Sequence, residues 1–539
     1  MFHPHWREEA LGRLGQTFDM IVIGGGITGC GILLDASQRG LRTLLIEQAD
    51  IASGTSSRSS KLIHGGLRYL KQMQFRITRL ACRERDRMAS LSPHLVKEIR
   101  FLYPANTGDK VKGWKVDLGL KIYDTLTRRP EKHSRPTLSE VGLMAPGLDT
   151  SNLERALAYN DAMADDARLT LAVATTGFAY GGLVLTRAEA AEAIRGTGGE
   201  IRGVRVNDLL TGKVHDVRAH LVINAAGIWV DRIRERFGLP GKRVRPSRGT
   251  HIILPLERMP IKAAVTVPSP DDGRPVFLVP HPEGVLVGTT DIFHDGSLED
   301  PRPTRDEVGY LLRSVHANFP DRGIAEADIV GAFAGLRPIL DSAVDNPSEA
   351  SRDEDVWEEH GMLSISGGKL TTWRSMAEEV VDSAINLLPG DRIDDTAGCA
   401  TKGTPLSGLA PPDLPDRLER VLGLSGPLAS AMSRRLCGAA WLAPGLARDS
   451  SELAPLVEGT DLTAAEVRVH LKHSAVARLE DLLLRRARFG MWNPNLAHEL
   501  IPHLRPLFQE ELGWDSAHWE AELAAVEPAL EAWSPKGVE

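Results

Sequence analysis

Phe18-Asp19-Met20-Ile21-Val22-Ile23-Gly24-Gly25-Gly26-Ile27-Thr28-Gly29 is the stretch that decides the fold. Its first six residues are short, apolar and rich in branched side chains, the pattern of a buried strand. Gly24, Gly26 and Gly29 follow at G-x-G-x-x-G spacing. Helix-compatible residues run from Cys30 to Gln38, Gly40 stops them, and Leu41–Ile46 reads as a second strand closed by Glu47. At such a turn Gly24 permits the tight bend, Gly26 lets the backbone approach a pyrophosphate, and Gly29 lets the helix pack on the strand. The helix start turns free N–H groups towards phosphates. Glu47 can accept from ribose hydroxyls, which argues against a 2′-phosphorylated dinucleotide.

Two later turns repeat the pattern. Leu221-Val222-Ile223-Asn224 runs into Ala225-Ala226-Gly227, with Ile228-Trp229 continuing towards a helix. Met362–Ile365 runs into Ser366-Gly367-Gly368-Lys369-Leu370-Thr371-Thr372, whose residues from Leu370 read as a helix start. Taken singly, each is equally an ordinary strand-to-helix connection. Three glycine turns at strand ends, spread over most of the chain, suit one long cofactor gripped at several points, FAD rather than NAD.

With 539 residues the chain exceeds one compact core, and two or three domains are expected. The organisation reads as α/β. A Rossmann-like dinucleotide domain spans 1–395, with an antiparallel-sheet substrate part interleaved at 81–165 and 243–340, and a helical cap follows over 396–539. His251–Leu254 and Val276–Val279 supply antiparallel strands. Residues 90–160 read as mixed, polar and Pro-punctuated. Glu466–Arg488 keeps a helical period, with Val467, Leu471, Val476, Leu479 and Leu483 near one face. A net charge of −8 gives no global reason to bind nucleic acid. Cys30, Cys82, Cys399 and Cys437 lack C-x-x-C spacing and point to neither a metal site nor a disulfide framework. No segment approaches the roughly 20 apolar residues of a spanning helix, so a cytoplasmic or peripheral protein is expected.

Just beyond the fingerprint lies Thr55-Ser56-Ser57-Arg58-Ser59-Ser60-Lys61-Leu62-Ile63-His64-Gly65-Gly66-Leu67-Arg68-Tyr69-Leu70. It is too polar and glycine-broken for a core, yet it brings Lys61, His64, Arg68 and Tyr69 close together. From Ser59 to Leu70 it resembles, without a break, the signature of the FAD-dependent, aerobic-type glycerol-3-phosphate dehydrogenases. Arg248-Gly249-Thr250-His251, Val287-Gly288-Thr289-Thr290-Asp291, Gly335-Leu336-Arg337-Pro338 and Gly367-Gly368-Lys369-Leu370-Thr371-Thr372 support the match, which runs over almost the whole chain. The helices around Leu471–Trp492 resemble that family's C-terminal cap.

The resemblance implies a D-amino-acid-oxidase-like fold and non-covalent FAD. It implies oxidation of sn-glycerol 3-phosphate to dihydroxyacetone phosphate, with hydride passing from C2 to flavin N5. Electrons then go to a quinone at the inner face of the cytoplasmic membrane, where the protein attaches peripherally, as a homodimer or alone. FAD contacts fall on Gly24, Gly26, Ile27, Thr28, Gly29 and Glu47. The loop adds Thr55, Ser56, Ser57, Lys61, Leu62, His64 and Gly65, and the later turns add Ala226, Gly227, Gly368, Leu370 and Thr371. Arg68, Arg337 and Arg352 fall to the phosphate or adjacent hydroxyls, with Tyr69 beside them and Lys369 near the substrate oxygen and the flavin.

The residue chemistry agrees. A secondary alcohol needs a base for its proton, and a phosphate calls for bidentate cations, for which Arg is suited. His64 and His251 are the candidate bases; His64 is favoured for its glycine-rich neighbours. Lys61 has a second reading, as the partner of an acidic neighbour. The acceptor stays open between quinone and O₂. Amino-acid or 2-hydroxy-acid dehydrogenases and a catalytically silent flavin module are the alternatives. Lys110–Arg129 places Trp114, Leu118, Ile122 and Leu126 at i, i+4 spacing among Lys112, Lys115, Lys121, Arg128 and Arg129. It reads either as a basic amphipathic helix on anionic lipid or as a surface helix packed on its domain.

Overall fold

The computed structural model describes residues 1–67, 74–127, 131–341, 354–390 and 398–539. Two sheets organise these residues. In the first, Thr17–Ile23 lies between Thr43–Glu47 and Val214–Asn224, with Leu183–Thr186 and Met362–Ser366 outside them, all parallel. All but the first residue of Thr17–Ile23 are buried, as a strand covered on both faces requires. Asp355–Glu359 and the hairpin Ala188–Arg195/Ile201–Asp208 add antiparallel strands, for eight in all.

The fingerprint sits at the carboxyl end of the first strand. Gly24 has φ +113°, and a Cβ there would lie 2.6 Å from the Ala225 carbonyl oxygen. A Cβ on Gly29 would lie 1.9 Å from the Gly24 carbonyl oxygen, so the helix reaches the strand only without a side chain. That helix spans Ile27–Gln38 and opens earlier than the Cys30 expected from sequence. The Ser56 hydroxyl accepts its first N–H, from Ile27, at 2.9 Å. Asp166–Ala179 and Trp373–Ile385 pack alongside it. Gly31 admits the Trp373 ring, which a Cβ would meet at 2.8 Å.

The second sheet has nine strands drawn from two separated segments. Val96–Asn106 and Leu153–Ala164 form its long antiparallel pair, and Leu62–Ile63 adds to the outer side of Leu153–Ala164. Ser247–Leu254, Ala264–Pro268, Pro275–His281, Gly284–Gly288, Ile292–Phe293 and Gly331–Arg337 complete it, joined through a parallel contact between Ala264–Pro268 and Val96–Asn106. Phe101 stacks on Tyr159 at 5.2 Å in its centre. One apolar layer holds Val308, Leu311 and Val315 of the helix Arg305–Asn318. Another joins Phe101, Leu157 and Phe333 to Leu479, Leu483 and Trp492, seating the C-terminal helices on the sheet.

Three sequence expectations change. Residues 90–160 are not loosely mixed: they hold the 11- and 12-residue strands of the long pair. Burial along Val96–Asn106 does not alternate, and Leu153–Ala164 is alanine-rich, so neither showed a period of two. Glu466–Arg488 is not one helix. Ala464–His473 ends, Ala475 takes φ +51°, and a π-helical turn follows at Asp481–Arg486. Asp481 causes the restart by accepting the N–H groups of Ala477 and Arg478 at 3.0 and 2.9 Å while bound to Arg187 and Arg485. Finally, the basic segment forms a helix over Gly113–Leu126 whose stripe divides: Trp114 and Leu118 are exposed, whereas Ile122 and Leu126 pack beside Tyr123 and Cys82. Arg128 and Arg129 lie outside the described residues.

Gly29→Ala tests the close approach. The added methyl should cost about 3 kcal/mol of stability in urea unfolding, the upper end for an overpacked interior; an unchanged midpoint would mean that the helix is not held this tightly.

Candidate active site

The three glycine turns meet at one cleft of about 420 Å³ at the carboxyl ends of the parallel strands. Gly24, Gly26, Ile27 and Thr28 line it from the first turn, Ala226 and Gly227 from the second, and Gly368, Lys369 and Leu370 from the third. Glu47, Thr55 and Ser56 complete the wall. Glu47 Oε2 accepts the Gly25 N–H at 2.6 Å and Oε1 the Ala49 N–H at 2.7 Å, so the carboxylate also shapes the turn. Burial raises the Glu47 carboxyl, against those two N–H groups. Sequence reasoning did not single out Trp229, Arg232 and Arg236, which also line the cleft. Gly54 was the available signal for Trp229, because a Cβ there would lie 2.7 Å from that indole.

The loop after Thr55 divides its tasks. Thr55 Oγ1 donates to the Leu336 carbonyl at 2.7 Å, tying the cleft to the strand that ends in Arg337. Ser57 turns its carbonyl to the Lys61 ammonium at 3.2 Å. Lys61 is fully buried and its ammonium lies 2.6 Å from Asp166, the acidic-neighbour alternative, rather than on the cleft wall. Leu62 sits in the strand Leu62–Ile63. Gly65 donates to the Tyr123 hydroxyl at 2.9 Å, and a Cβ there would lie 2.2 Å from that oxygen. Buried Arg85 braces the spot through Asp161 and the Tyr123 hydroxyl, each at 2.8 Å. The His64 carbonyl accepts from Thr371 Oγ1 at 3.3 Å, which brings the loop and the third turn together.

Arg337 and His251 lie on adjacent antiparallel strands, in register as Ser247↔Arg337 and His251↔Phe333. The Arg337 guanidinium spans Asp291 at 3.0 Å and Thr289 Oγ1 at 2.9 Å, with Ser247 Oγ at 3.3 Å. Gly249 makes room, since a Cβ there would meet Arg337 Nη2 at 2.1 Å. His251 is buried, stacked on Phe333 at 5.0 Å, with Nε2 2.8 Å from Ser60 Oγ. Burial first, then the charges of Arg337 and Lys61, hold it well below the usual histidine range, so it stays neutral. Arg68, Tyr69 and Arg352 lie outside the described residues.

Two more buried histidines behave alike. Burial lowers His281, beside the Trp492 ring at 4.8 Å, to about 3, and also lowers His470. An unfolded chain titrates its histidines near pH ~6.5. Below that, the unfolded state takes up protons that the folded state refuses, so stability falls with pH. The melting temperature should therefore decline between about pH 7 and pH 5, and decline less in His281→Gln. A flat profile by scanning calorimetry would contradict neutral buried histidines.

The donor set fits an FAD: a carboxylate at one end, a helix start and backbone-close glycine turns between, and Lys369 at the far turn. Comparisons with known proteins agree. Residues 19–382 match the FAD dependent oxidoreductase family, and residues 399–519 match the C-terminal domain of alpha-glycerophosphate oxidase. A glycerol-3-phosphate dehydrogenase of Mycobacterium leprae is 34% identical over 98% of this chain and 91% of its own length. An aerobic glycerol-3-phosphate dehydrogenase of Staphylococcus haemolyticus is 37% identical over 73% of this chain and 71% of its own. The glycerol-3-phosphate dehydrogenase of Bacillus halodurans, solved with FAD, superposes with a TM-score of 0.81 at 28% identity, over 99% of this chain and 98% of that one. The chain belongs to the FAD-dependent glycerol-3-phosphate dehydrogenase family, within the FAD-dependent oxidoreductases, and FAD is its cofactor.

Proposed function

We propose that the protein oxidises sn-glycerol 3-phosphate to dihydroxyacetone phosphate and passes the electrons to a membrane quinone. The observation that carries this reading is the junction of loop and third turn, where Thr371 binds the His64 carbonyl and Lys369 lines the cleft. His64 takes the proton of the C2 hydroxyl, since His251 is buried, turned to Ser60 and held too weakly basic to accept it. Arg337 receives the phosphate. Asp291 and Thr289 fix its fork, so little freedom is lost when a dianion docks. Arg68, Arg352 and Tyr69 are proposed to bind the same phosphate or its adjacent hydroxyls. Lys369 holds the substrate oxygen, where a cation stabilises developing negative charge. Bound FAD supplies the acceptor for the hydride leaving C2.

Membrane attachment is proposed at the start of the Gly113–Leu126 helix. Trp114 and Leu118 are more than half exposed there, beside Lys112, Lys115 and Lys121, with the Lys115 ammonium 5.6 Å from the Trp114 ring. Among the described residues no helix is long and apolar enough to cross a membrane, and a basic amphipathic surface binds anionic lipid reversibly.

Anaerobic sn-glycerol 3-phosphate should bleach the flavin band of the purified protein; a flavin that stays oxidised would overturn the substrate. His64→Gln should keep FAD yet slow reduction by about 100-fold or more, and an unchanged rate would remove His64 as base. Arg337→Ala should raise KM by about 50-fold, the loss of a charged hydrogen-bonded contact worth about 2–3 kcal/mol. Trp114→Ala/Leu118→Asp should abolish salt-sensitive cosedimentation with phosphatidylglycerol vesicles, and undiminished binding would place docking elsewhere. Parallel assays of quinone reduction and oxygen consumption decide the acceptor.

A further inference from the structure

The loop that presents His64 has little regular structure of its own. A single turn at Thr55–Ser57 is followed by irregular backbone, with Lys61 at φ +57°, until the strand Leu62–Ile63. Backbone of this kind keeps its shape only when its surroundings over-determine it. Asp166, at the start of the helix Asp166–Ala179, does so. Its Oδ2 accepts the Ser59 N–H at 2.9 Å and the Ser59 hydroxyl at 2.7 Å, and its Oδ1 accepts from the Lys61 ammonium at 2.6 Å. The Lys61 carbonyl accepts the Ala164 N–H at 3.0 Å, and Ser60 holds His251 at 2.8 Å.

A second cation reaches this carboxylate from the C-terminal helices. Arg488, 322 residues further along the chain, donates Nη2 to Asp166 Oδ1 at 3.0 Å. Its Nε donates to Asp165 Oδ2 at 2.9 Å and its Nη1 to the Leu484 carbonyl at 2.8 Å. Arg488, Asp166 and Lys61 are all fully buried. Arg488 also sits at φ +71°, between the π turn Asp481–Arg486 and the helix Phe489–Trp492. An arginine held in the left-handed region is strained, and its three-way grip offsets that strain.

Two adjacent carboxylates, Asp166 fully buried and Asp165 partly so, face two buried cations here. Burial opposes the charge of Asp165, and Arg488, Arg168 and Lys61 outweigh it. Without Arg488, Asp166 keeps Lys61 as its one ion-pair partner among the described residues, and a buried charge left short of partners rearranges its surroundings. The groups it would drag are Ser59 and Lys61, just ahead of His64.

We infer that Arg488 is a positioning residue for the reaction: from the C-terminal helices it fixes Asp166, and through Asp166 the Ser59–His64 loop that sets the imidazole against the substrate. This rests on His64 as the base. The cap is then part of the catalytic apparatus without touching substrate.

The test compares the FAD-loaded wild type with Arg488→Lys, Arg488→Gly and Arg435→Gln. Glycine removes the side chain at no backbone cost, because φ +71° suits it. Arg435 is a control: it is buried within the C-terminal helices, and its partners among the described residues, Glu466, Asp461 and the Phe489 ring at 5.7 Å, lie outside the loop. Stopped-flow reduction by saturating sn-glycerol 3-phosphate should be about 30-fold or more slower in both Arg488 variants, with KM changed by less than about threefold, a loss in the chemical step rather than in binding. Methylguanidinium should restore part of the rate in Arg488→Gly. Arg435→Gln should melt earlier yet reduce within about twofold of wild type. Hydrogen exchange at the Ser59 and Ala164 amides should quicken in the Arg488 variants alone, whatever the substrate. Wild-type rates and unchanged exchange in Arg488→Lys, which keeps the charge if the glycine variant fails to fold, would overturn the proposal. So would rates that follow melting temperature equally in Arg488 and Arg435 variants. Failure of the wild type to be reduced would count against the substrate, and the exchange measurement would still decide the role of Arg488.

Discussion

Backbone against backbone is the contact on which this molecule is built. At Gly24 and Gly29 the chain passes so close to itself that a single methyl group would lie 1.9 to 2.6 Å from a carbonyl oxygen. That approach sets how deeply the Ile27–Gln38 helix sits on the parallel sheet, and hence where its N-terminus points. The surrounding polar groups serve the same geometry. Glu47 ties off Gly25, Ser56 ties off Ile27, and Thr371 carries the third turn to His64. The cleft is a product of strand ends and turns, and the side chains that line it are carried there by them.

Charge, as well as apolar packing, seats the C-terminal helices at this cleft. Arg485 and Arg486 converge on Asp50, three residues beyond Glu47, while Glu480 and Asp481 bind Arg187. Such buried pairs cost desolvation and are weak evidence for stability. Their geometry is nevertheless specific, since a guanidinium satisfied at fixed distances tolerates neither sliding nor rotation. The apolar layer shared by Phe333 and Trp492 supplies the adhesion, and the ion pairs supply the alignment.

The sequence was legible where the physics is local. A glycine turn must follow its strand directly, so Gly24, Gly227 and Gly368 were visible beside the apolar runs that feed them, and Glu47 at the end of the next strand. It was illegible where distant groups decide. The break after His473 answers to Asp481, which answers to Arg187, almost 300 residues away. Asp165 and Asp166 look like an ordinary acidic helix start until Arg488 and Lys61 fold onto them. Gly65 reads as a cofactor neighbour through the resemblance, and the contacts that demand a glycine there, with Tyr123 and Cys82, are made by residues that its local sequence does not show. The strand Leu153–Ala164 was hidden by its alanines, which carry no β preference of their own.

The weaving of the two sheets also bears on how the chain is made. The strand Thr17–Ile23 needs Val214–Asn224 as its neighbour, and that strand needs Met362–Ser366. Val96–Asn106 waits for Ala264–Pro268, and Ser247–Leu254 for Gly331–Arg337. Neither sheet closes until about two thirds of the polypeptide has left the ribosome, and the loop before His64 is fixed only once Arg488 has followed. Pairings so distant along the chain form slowly and leave strand edges open in the meantime. A nascent chain of this protein spends much of its synthesis as an unfinished sheet, with strand edges that only residues not yet made can cover.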